Sequence, residues 1–171
     1  MNGVIDGSLD WNDTHVGAML HPGVVVWPAA LAAAEMTAAS GEQATAAVVA
    51  GYETVIALGL SVQPGHFHRG LQATATCGTF GAAVAAAKLF DLNVAGVRNA
   101  LGIAASYASG IAQFYRSGSN VKRLHAGKAA AAGVEAALLA RAGLGGPHDA
   151  IEGEQGFAHA FTDTFDPAPA T

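Results

Sequence analysis

Basic and imidazole side chains gather in one polar stretch of the sequence, residues 117–128, which reads SGSNVKRLHAGK. The Gly/Ser/Asn segment that opens it is followed by an Ala- and Leu-rich segment that continues to Gly143. This pattern predicts a helix over residues 121–143, with Ser119 or Asn120 capping its first turn. The free N–H groups of a helix start attract anions, so the stretch is the first place to look for chemistry.

The charges in this predicted first turn are unusual for a helix built only for stability. Lys122 and Arg123 would lie where a cation opposes the helix dipole, and Asp or Glu would be preferred there. Lys122 and His125 are three residues apart and therefore share one face of the helix. Free amides, an ammonium group and an imidazole at one helix end suit a ligand with carboxylates. A solvated basic turn is the alternative interpretation of the same residues.

Composition favours a single domain with an extensive partner interface. Of the 171 residues, 51% are hydrophobic and only 12% are charged, about half the charged share of a typical domain, which is about 25%. So few charges cover the surface of a monomer poorly, which predicts a homodimer or a partner that supplies a missing domain. The net charge of −5 gives no reason to expect nucleic acid or an anionic membrane as partner.

The cysteine count and the terminal composition favour the cytoplasm. Cys77 is the only cysteine, so an intrachain disulfide and a thiolate zinc site are both excluded. The N-terminal residues are acidic rather than basic, unlike a signal peptide. Charged residues and Pro28 interrupt the apolar runs, so we expect no membrane span.

Hydrophobic periodicity predicts an all-α domain. No segment alternates with a period of two, and the apolar segments are rich in Ala and Gly, which lets helices approach closely. The predicted helices cover residues 24–40 (starting at Trp27-Pro28), 44–62 (capped by Ser40 with Gln43), 73–92, 94–107 (capped by Asn93) and 121–143. We also predict a polar loop over 66–72, a short helix within 151–165 and a frayed tail over 166–171.

Several stretches occurring in order resemble the MmgE/PrpD family. They are Asn2-Gly3, LDWNDTH at 9–15, His21-Pro22, AGYE at 50–53, GLQAT at 70–74, Cys77-Gly78, NALGIA at 99–104 and GSNVKRLHAG at 118–127. Each is a weak motif alone, but together they span about residues 2–157 in family order.

The resemblance implies a cofactor-independent lyase or isomerase. The family is similar in having an all-helical domain, a smaller α+β lid and a homodimeric state, and in acting on small di- and tricarboxylic acids by dehydration, decarboxylation or epimerisation. The sequence resembles the central part of the helical domain, so the lid is expected to lie outside it. No metal or organic cofactor is implied.

By position, the resemblance assigns Asp10, Thr14, His21 and Lys122 to the catalytic set. The His21-Pro22 pair lies one residue further along than in the decarboxylase-like pattern. Gln72 is the larger departure, because many members have histidine there and glutamine does not exchange a proton near neutral pH.

In these roles His21 is the base and Asp10 orients it or accepts from a substrate hydroxyl, while Thr14 and Lys122 hold the anion. Gln72, Ser119 and His125 are the candidate substrate-binding residues.

Three alternatives remain open at this stage. Gln72 and the loop aspartates are also typical of helix caps and turns. His66-x-His68 with a nearby carboxylate is typical of a metal site. The chain could also be a non-catalytic truncated subunit, or a polycarboxylate-binding module that pairs through an apolar interface.

Overall fold

A computed structural model describes residues 1–171 as an assembly of α-helices. There is no strand, only the isolated bridges His15–Leu20 and Leu71–Ile111. The all-α prediction is therefore confirmed. The helices are α1 Asn2–Asp6, α2 Gly23–Thr37, α3 Gly41–Val62, α4 Gly65–His68, α5 Ala73–Leu89, α6 Val94–Tyr107, α7 Phe114–Ser117, α8 Lys122–Arg141 and α9 Phe157–Phe161, with 3-10 turns at Gly7–Leu9 and Ala168–Ala170.

Local signals placed several helix ends correctly. Ser40 and Gln43 form the predicted capping box at the start of α3, each side chain pairing with the other residue's backbone N–H. The Asn93 side chain accepts from the Gly96 amide and caps α6. Gly143 follows α8 with a φ of 96°, a left-handed conformation that glycine adopts without strain.

The predicted start of α2 at Trp27-Pro28 is wrong. The helix begins at Gly23 behind Pro22, and Pro28 lies inside it. Pro22 is thus the residue that uses the fixed φ of proline at the helix entrance. Asp13 contributes to this earlier start because its carboxylate accepts from the Gly23 amide.

Two further boundaries also differ from the prediction. The N-cap of α8 is Val121, and neither Ser119 nor Asn120 caps the helix through its side chain. Ser119 Oγ accepts from the amide of Val121, the residue just before the helix, at 3.2 Å. The Asn120 carbonyl oxygen accepts from the Arg123 amide. Within 151–165 only α9 is helical, because turns containing Gly153 and Gly156 come before it.

Helices α2, α5 and α8 run side by side in the same direction. Along α5 and α8, the Gln72 side chain contacts His125, and a Cβ at Gly133 would lie 2.6 Å from the Thr79 carbonyl oxygen. From the first contact to the second, the residue numbers increase along both helices, so the helices are parallel.

The same order holds between α2 and α5. The His21 amide just before α2 donates to Thr74 Oγ1, and a Cβ at Gly78 would lie 3.0 Å from Val25. The N-terminal ends of α2, α5 and α8 therefore lie at one end of the domain.

Helix α3 has the length and apolar composition of a membrane span. Core helices of soluble proteins also meet that criterion. Here α3 packs against α5 and α2, and Gly51 makes the approach close: a Cβ there would lie 2.8 Å from the Gly81 carbonyl oxygen and 2.6 Å from Val26.

His66 occupies a different environment from the predicted loop. It belongs to the short helix α4 and is fully buried. Its Nε2 lies 2.8 Å from Thr76 Oγ1, and its ring lies against Phe157 and Phe161. Its Nδ1 is buried without a hydrogen-bond partner. Burial lowers the pKa of His66 from 6.5 to about 4, so the imidazole is neutral in the folded protein near pH 7.

We expect Gly133→Ala to lower the free energy of unfolding by about 2 kcal/mol, because the added methyl group meets backbone of α5 that cannot move aside. Gly41→Ala is the matched control, since a Cβ at Gly41 has open space around it and alanine favours a helix. Urea unfolding followed by circular dichroism measures both variants. Equal stability of Gly133→Ala and the parent chain would contradict the close crossing of α5 and α8.

We expect His66 to make stability fall as the pH is lowered. In the unfolded chain a histidine binds a proton near pH 6.5, whereas in the fold His66 does so only near pH 4. The contribution of His66 to the free energy of unfolding is therefore complete above about pH 6.5. It is lost as the pH falls towards 4, by about 3 kcal/mol in total. Unfolding free energies of parent and His66→Leu across this range test it: the variant is less stable at pH 7 but lacks this part of the pH dependence. The control His68→Gln, which changes an exposed side chain of the same helix, should retain it.

Candidate functional site

Six of the sequence-predicted site residues meet at the end of the domain where α2, α5 and α8 begin. They form what we call the polar cluster: Asp10, Thr14, His21, Gln72, Lys122 and His125. The loop before α2 carries the first three residues, the residue preceding α5 is Gln72, and the first turn of α8 carries the last two. Side-chain and backbone hydrogen bonds link these elements in pairs.

Two glycines of the N-terminal segment bring Asp10 to α8. A Cβ at Gly3 would lie 3.0 Å from the Gly127 Cα, so α1 packs directly on the backbone of α8. A Cβ at Gly7 would make ordinary contacts with α2 and α8, 3.4 Å from Val24 and 3.9 Å from the Arg123 carbonyl oxygen. Asp10 then adopts a left-handed conformation with φ 54°, which aspartate tolerates better than most residues.

Asp10 and Lys122 form an ion pair, with Lys122 Nζ 2.6 Å from Asp10 Oδ1. The hydrogen bond from Lys122 holds the pKa of Asp10 below its ordinary value, and the charges of His21 and Arg123 act in the same direction. The Asp10 side chain is 61% exposed and that of Lys122 is 26% exposed. Asp10 is therefore ionised near pH 7, and both side chains are reachable by a ligand.

Backbone and hydroxyl oxygens determine the tautomer of His21. Its Nδ1 lies 2.9 Å from the Asp13 carbonyl oxygen and 3.0 Å from Thr14 Oγ1. A carbonyl oxygen only accepts, so Nδ1 carries the proton and the lone pair of the neutral ring is on Nε2. The Thr14 hydroxyl that accepts from this ring keeps its own hydrogen for another acceptor. The expectation that Asp10 orients His21 gives way to Asp13 and Thr14.

The Asp13 carboxylate stabilises this loop through hydrogen bonds to α2 and α3. It accepts from the Gly23 amide at 3.0 Å and from the Tyr52 hydroxyl at 2.8 Å. Burial, followed by the hydrogen bond to Asp13, raises the pKa of Tyr52 above its ordinary value. The Asp13 carboxylate is thus committed to the fold, whereas its carbonyl oxygen holds His21.

Gln72 does not cap α5 through its side chain. Its Oε1 lies 2.9 Å from His125 Nδ1. The His125 ring meets the edge of Phe114, and burial lowers the pKa of the imidazole. A glutamine and a histidine from two parallel helices therefore form one unit.

Other sequence candidates lie outside the cluster. Ser119 is exposed, and its hydroxyl accepts a hydrogen bond from the Val121 amide. The structure does not bring His66 and His68 together: His66 is enclosed by Phe157, Phe161 and Thr76, whereas His68 is exposed. No three His, Cys, Asp or Glu side chains come together as metal ligands.

A cleft of about 780 Å³ lies beside the polar cluster, between residues 67–70 and 111–116. None of the six cluster side chains lines it. The Gln72 amide donates to the Gly110 carbonyl oxygen and joins the cleft wall to the cluster. The cluster itself is open to solvent.

Sequence reasoning missed Thr74 and Tyr52 as supports of the site. Both lie in stretches that resemble the family, GLQAT and AGYE, but their partners are 53 and 39 residues away. Local spacing carries no signal for such pairs.

A family model named "MmgE/PrpD N-terminal domain" matches residues 1–170. The chain belongs to the MmgE/PrpD family. It is similar to the human cis-aconitate decarboxylase, with 34% identity over 98% of this chain and 35% of that protein. The mouse cis-aconitate decarboxylase is 32% identical over 98% of this chain and 34% of that protein, and that of Aspergillus terreus is 32% identical over 88% and 32%.

The chain spans about a third of the length of these curated relatives. The relatives named here are decarboxylases, which are lyases, so the chain belongs to a family that includes lyases. The stretches that carry the family resemblance around 9–22, 70–74 and 118–127 are also those that build the polar cluster.

We expect the two loop aspartates to differ in their effect on stability. Asp13→Ala removes the acceptor of the Gly23 amide and the Tyr52 hydroxyl and should cost about 2 kcal/mol. Asp10→Ala, the matched control, breaks a solvent-exposed ion pair and should cost less than about 1 kcal/mol. Chemical unfolding at pH 7 measures both. A larger loss in Asp10→Ala would contradict this division of roles.

Proposed function

We propose that the polar cluster binds a small di- or tricarboxylic acid and carries out lyase or isomerase chemistry on a carbon beside one of its carboxylates. The observation that carries this proposal is the meeting of three parallel helix N-termini with Lys122 and a tautomer-fixed imidazole. Partial positive charge from three helix ends and the Lys122 ammonium favour an anion. The free lone pair on His21 Nε2 supplies an acceptor for a proton.

Binding in this proposal uses donors that already have free hydrogens. Lys122 gives one hydrogen to Asp10 and keeps two for a ligand carboxylate. The Thr14 hydroxyl and the amide hydrogens of Gln72 offer further donors. Asp10, kept ionised by Lys122, holds the ammonium in place and accepts from a substrate hydroxyl.

Proton transfer next to a carboxylate is the chemistry that this arrangement supports. The C–H bond breaks, its proton moves to His21 Nε2, and the electron pair spreads into the adjacent carboxylate, whose growing charge Lys122 stabilises. In the decarboxylating direction a C–C bond breaks, carbon dioxide leaves, and the electron pair on carbon takes a proton from the imidazolium.

The names of the relatives make cis-aconitate the first substrate to test. It is a tricarboxylate, which matches the charge of the proposed site. Dehydration and epimerisation are the other reactions of the same kind that the site would support.

Completion of the site by a further domain or a second copy belongs to the same proposal. Large apolar side chains are exposed on the cluster loop and near the first turn of α8: Leu9 is 84% exposed, Trp11 93%, Val16 81% and Leu124 53%. A homodimer or an adjoining lid would cover them and exclude water from the cluster. We place the protein in the cytoplasm, with no nucleic acid or membrane as partner.

Binding without turnover is the second candidate function. The openness of Asp10 and the presence of Gln72, which does not titrate, favour it. In that case the chain is a polycarboxylate-binding module or subunit, and the ligand is released unchanged.

Proton NMR in deuterium oxide tests the proposal directly. The chain is incubated separately with cis-aconitate and citrate, and we expect solvent deuterium to enter at a carbon beside a carboxylate. Lys122→Ala should slow incorporation by about 100-fold or more. Lys128→Ala, which removes an exposed lysine of the same helix, should leave it unchanged.

Two outcomes would contradict this assignment. Saturable binding without deuterium incorporation would favour the binding module. Equal losses in Lys122→Ala and Lys128→Ala would indicate general electrostatics rather than a built site, and added salt should then abolish the effect.

A further inference from the structure

The Gln72–His125 pair has the geometry of an oriented base. Gln72 is buried, with 6% of its surface exposed, and its Oε1 lies 2.9 Å from His125 Nδ1. An amide oxygen only accepts hydrogen bonds. The proton of neutral His125 is therefore on Nδ1, and the lone pair is on Nε2.

The Nε2 edge of the His125 ring makes no hydrogen bond within the protein. Phe114 meets the ring at an interplanar angle of 78°, and a Cβ at Gly110 would lie 3.7 Å from its Cε1 and Nδ1. Nε2 of His125 has no hydrogen-bond partner. It is nevertheless not one of the fully buried polar atoms that lack a partner, since His66 Nδ1 is the only such side-chain atom. Nε2 of His125 is thus fixed in direction and is not fully enclosed by the protein.

The amide nitrogen of Gln72 is in the same situation. It has no acceptor in the protein and does not belong to the buried, unpartnered atoms. The carbonyl oxygen of Gln72 therefore holds His125, and its amide nitrogen keeps two hydrogens that no group of the protein accepts.

We propose that His125 is a second catalytic imidazole of this site and that Gln72 is its positioning residue, which holds the Nδ1 proton with its carbonyl oxygen and a ligand carboxylate with its amide hydrogens. This inference rests on the proposed function and deepens it. Lys122 and His125 lie one turn apart on α8, so both side chains reach the same ligand.

The proton step assigned to His125 balances without any other reactant. A proton leaves a substrate carbon for His125 Nε2, and the electron pair of that C–H bond spreads into the neighbouring carboxylate. The same imidazolium returns the proton to that carbon. With His21 the site then has two imidazoles, each with an Nε2 that can accept a proton and return it.

Nitrogen NMR of the chain labelled with ¹⁵N-histidine tests the role of Gln72. In the parent chain at neutral pH we expect His125 to carry its proton on Nδ1. Gln72→Met should shift the ring towards the Nε2–H form, whereas Gln72→Glu, which retains the acceptor, should preserve Nδ1–H. Comparison with His125→Asn identifies the signal among the seven histidines. A parent His125 protonated on Nε2 would overturn the proposal whatever the activity.

Deuterium incorporation into cis-aconitate and citrate tests the role of His125. His125→Asn keeps a side-chain N–H donor for Gln72 but removes Nε2, so exchange should fall by about 100-fold or more, with tricarballylate binding nearly unchanged. His148→Asn is the control, since it changes an exposed histidine outside the polar cluster.

The outcomes separate the two proposals. Exchange in the parent chain that persists in His125→Asn refutes the catalytic role of His125 and leaves the proposed function standing. No exchange in the parent chain refutes the proposed function and the catalytic role together, and the tautomer then decides the role of Gln72 alone.

Discussion

The parallel packing of α2, α5 and α8 is the constraint on which the rest of this structure depends. It requires small residues where the helices meet: Gly78 faces Val25, and Gly133 lies against the backbone of α5. A larger side chain at either glycine would push the helices apart. The contact between α5 and α8 is more extensive than that of any other helix pair. The same contact therefore holds the core together and places Gln72 beside His125.

Parallel helices also concentrate charge. Three N-terminal ends at one end of the domain have partial positive charge there, and Lys122 adds a full one where a helix would prefer an acid. Asp10 offsets part of that cost through an exposed ion pair. The arrangement keeps Lys122 available to a ligand, because exposed pairs exchange partners at little free-energy cost.

The two imidazoles of the cluster are controlled in the same way. Each has its Nδ1 held by an oxygen, from Asp13 for His21 and from Gln72 for His125. Each leaves Nε2 without a protein partner. His66 differs: its Nε2 is paired, burial keeps the ring neutral, and it serves the packing of α9 instead. Environment rather than residue type thus divides the histidines of this chain between chemistry and core.

The sequence by itself determined the all-α class, the capping box at Ser40, the Asn93 cap and the basic first turn of α8. These features depend on residues within one turn of each other, where propensity and hydrogen bonding are local. The resemblance to the family singled out Asp10, Thr14, His21 and Lys122, but the contact expected from Asp10 to His21 is made by Asp13 and Thr14 instead.

Only the tertiary structure decided that Asp13 starts α2 at Gly23, that Gln72 holds His125 and that His66 is buried. Each depends on a partner at least ten positions away. Helix direction and close glycine contacts fix such pairs, and neither quantity can be read from spacing along the chain.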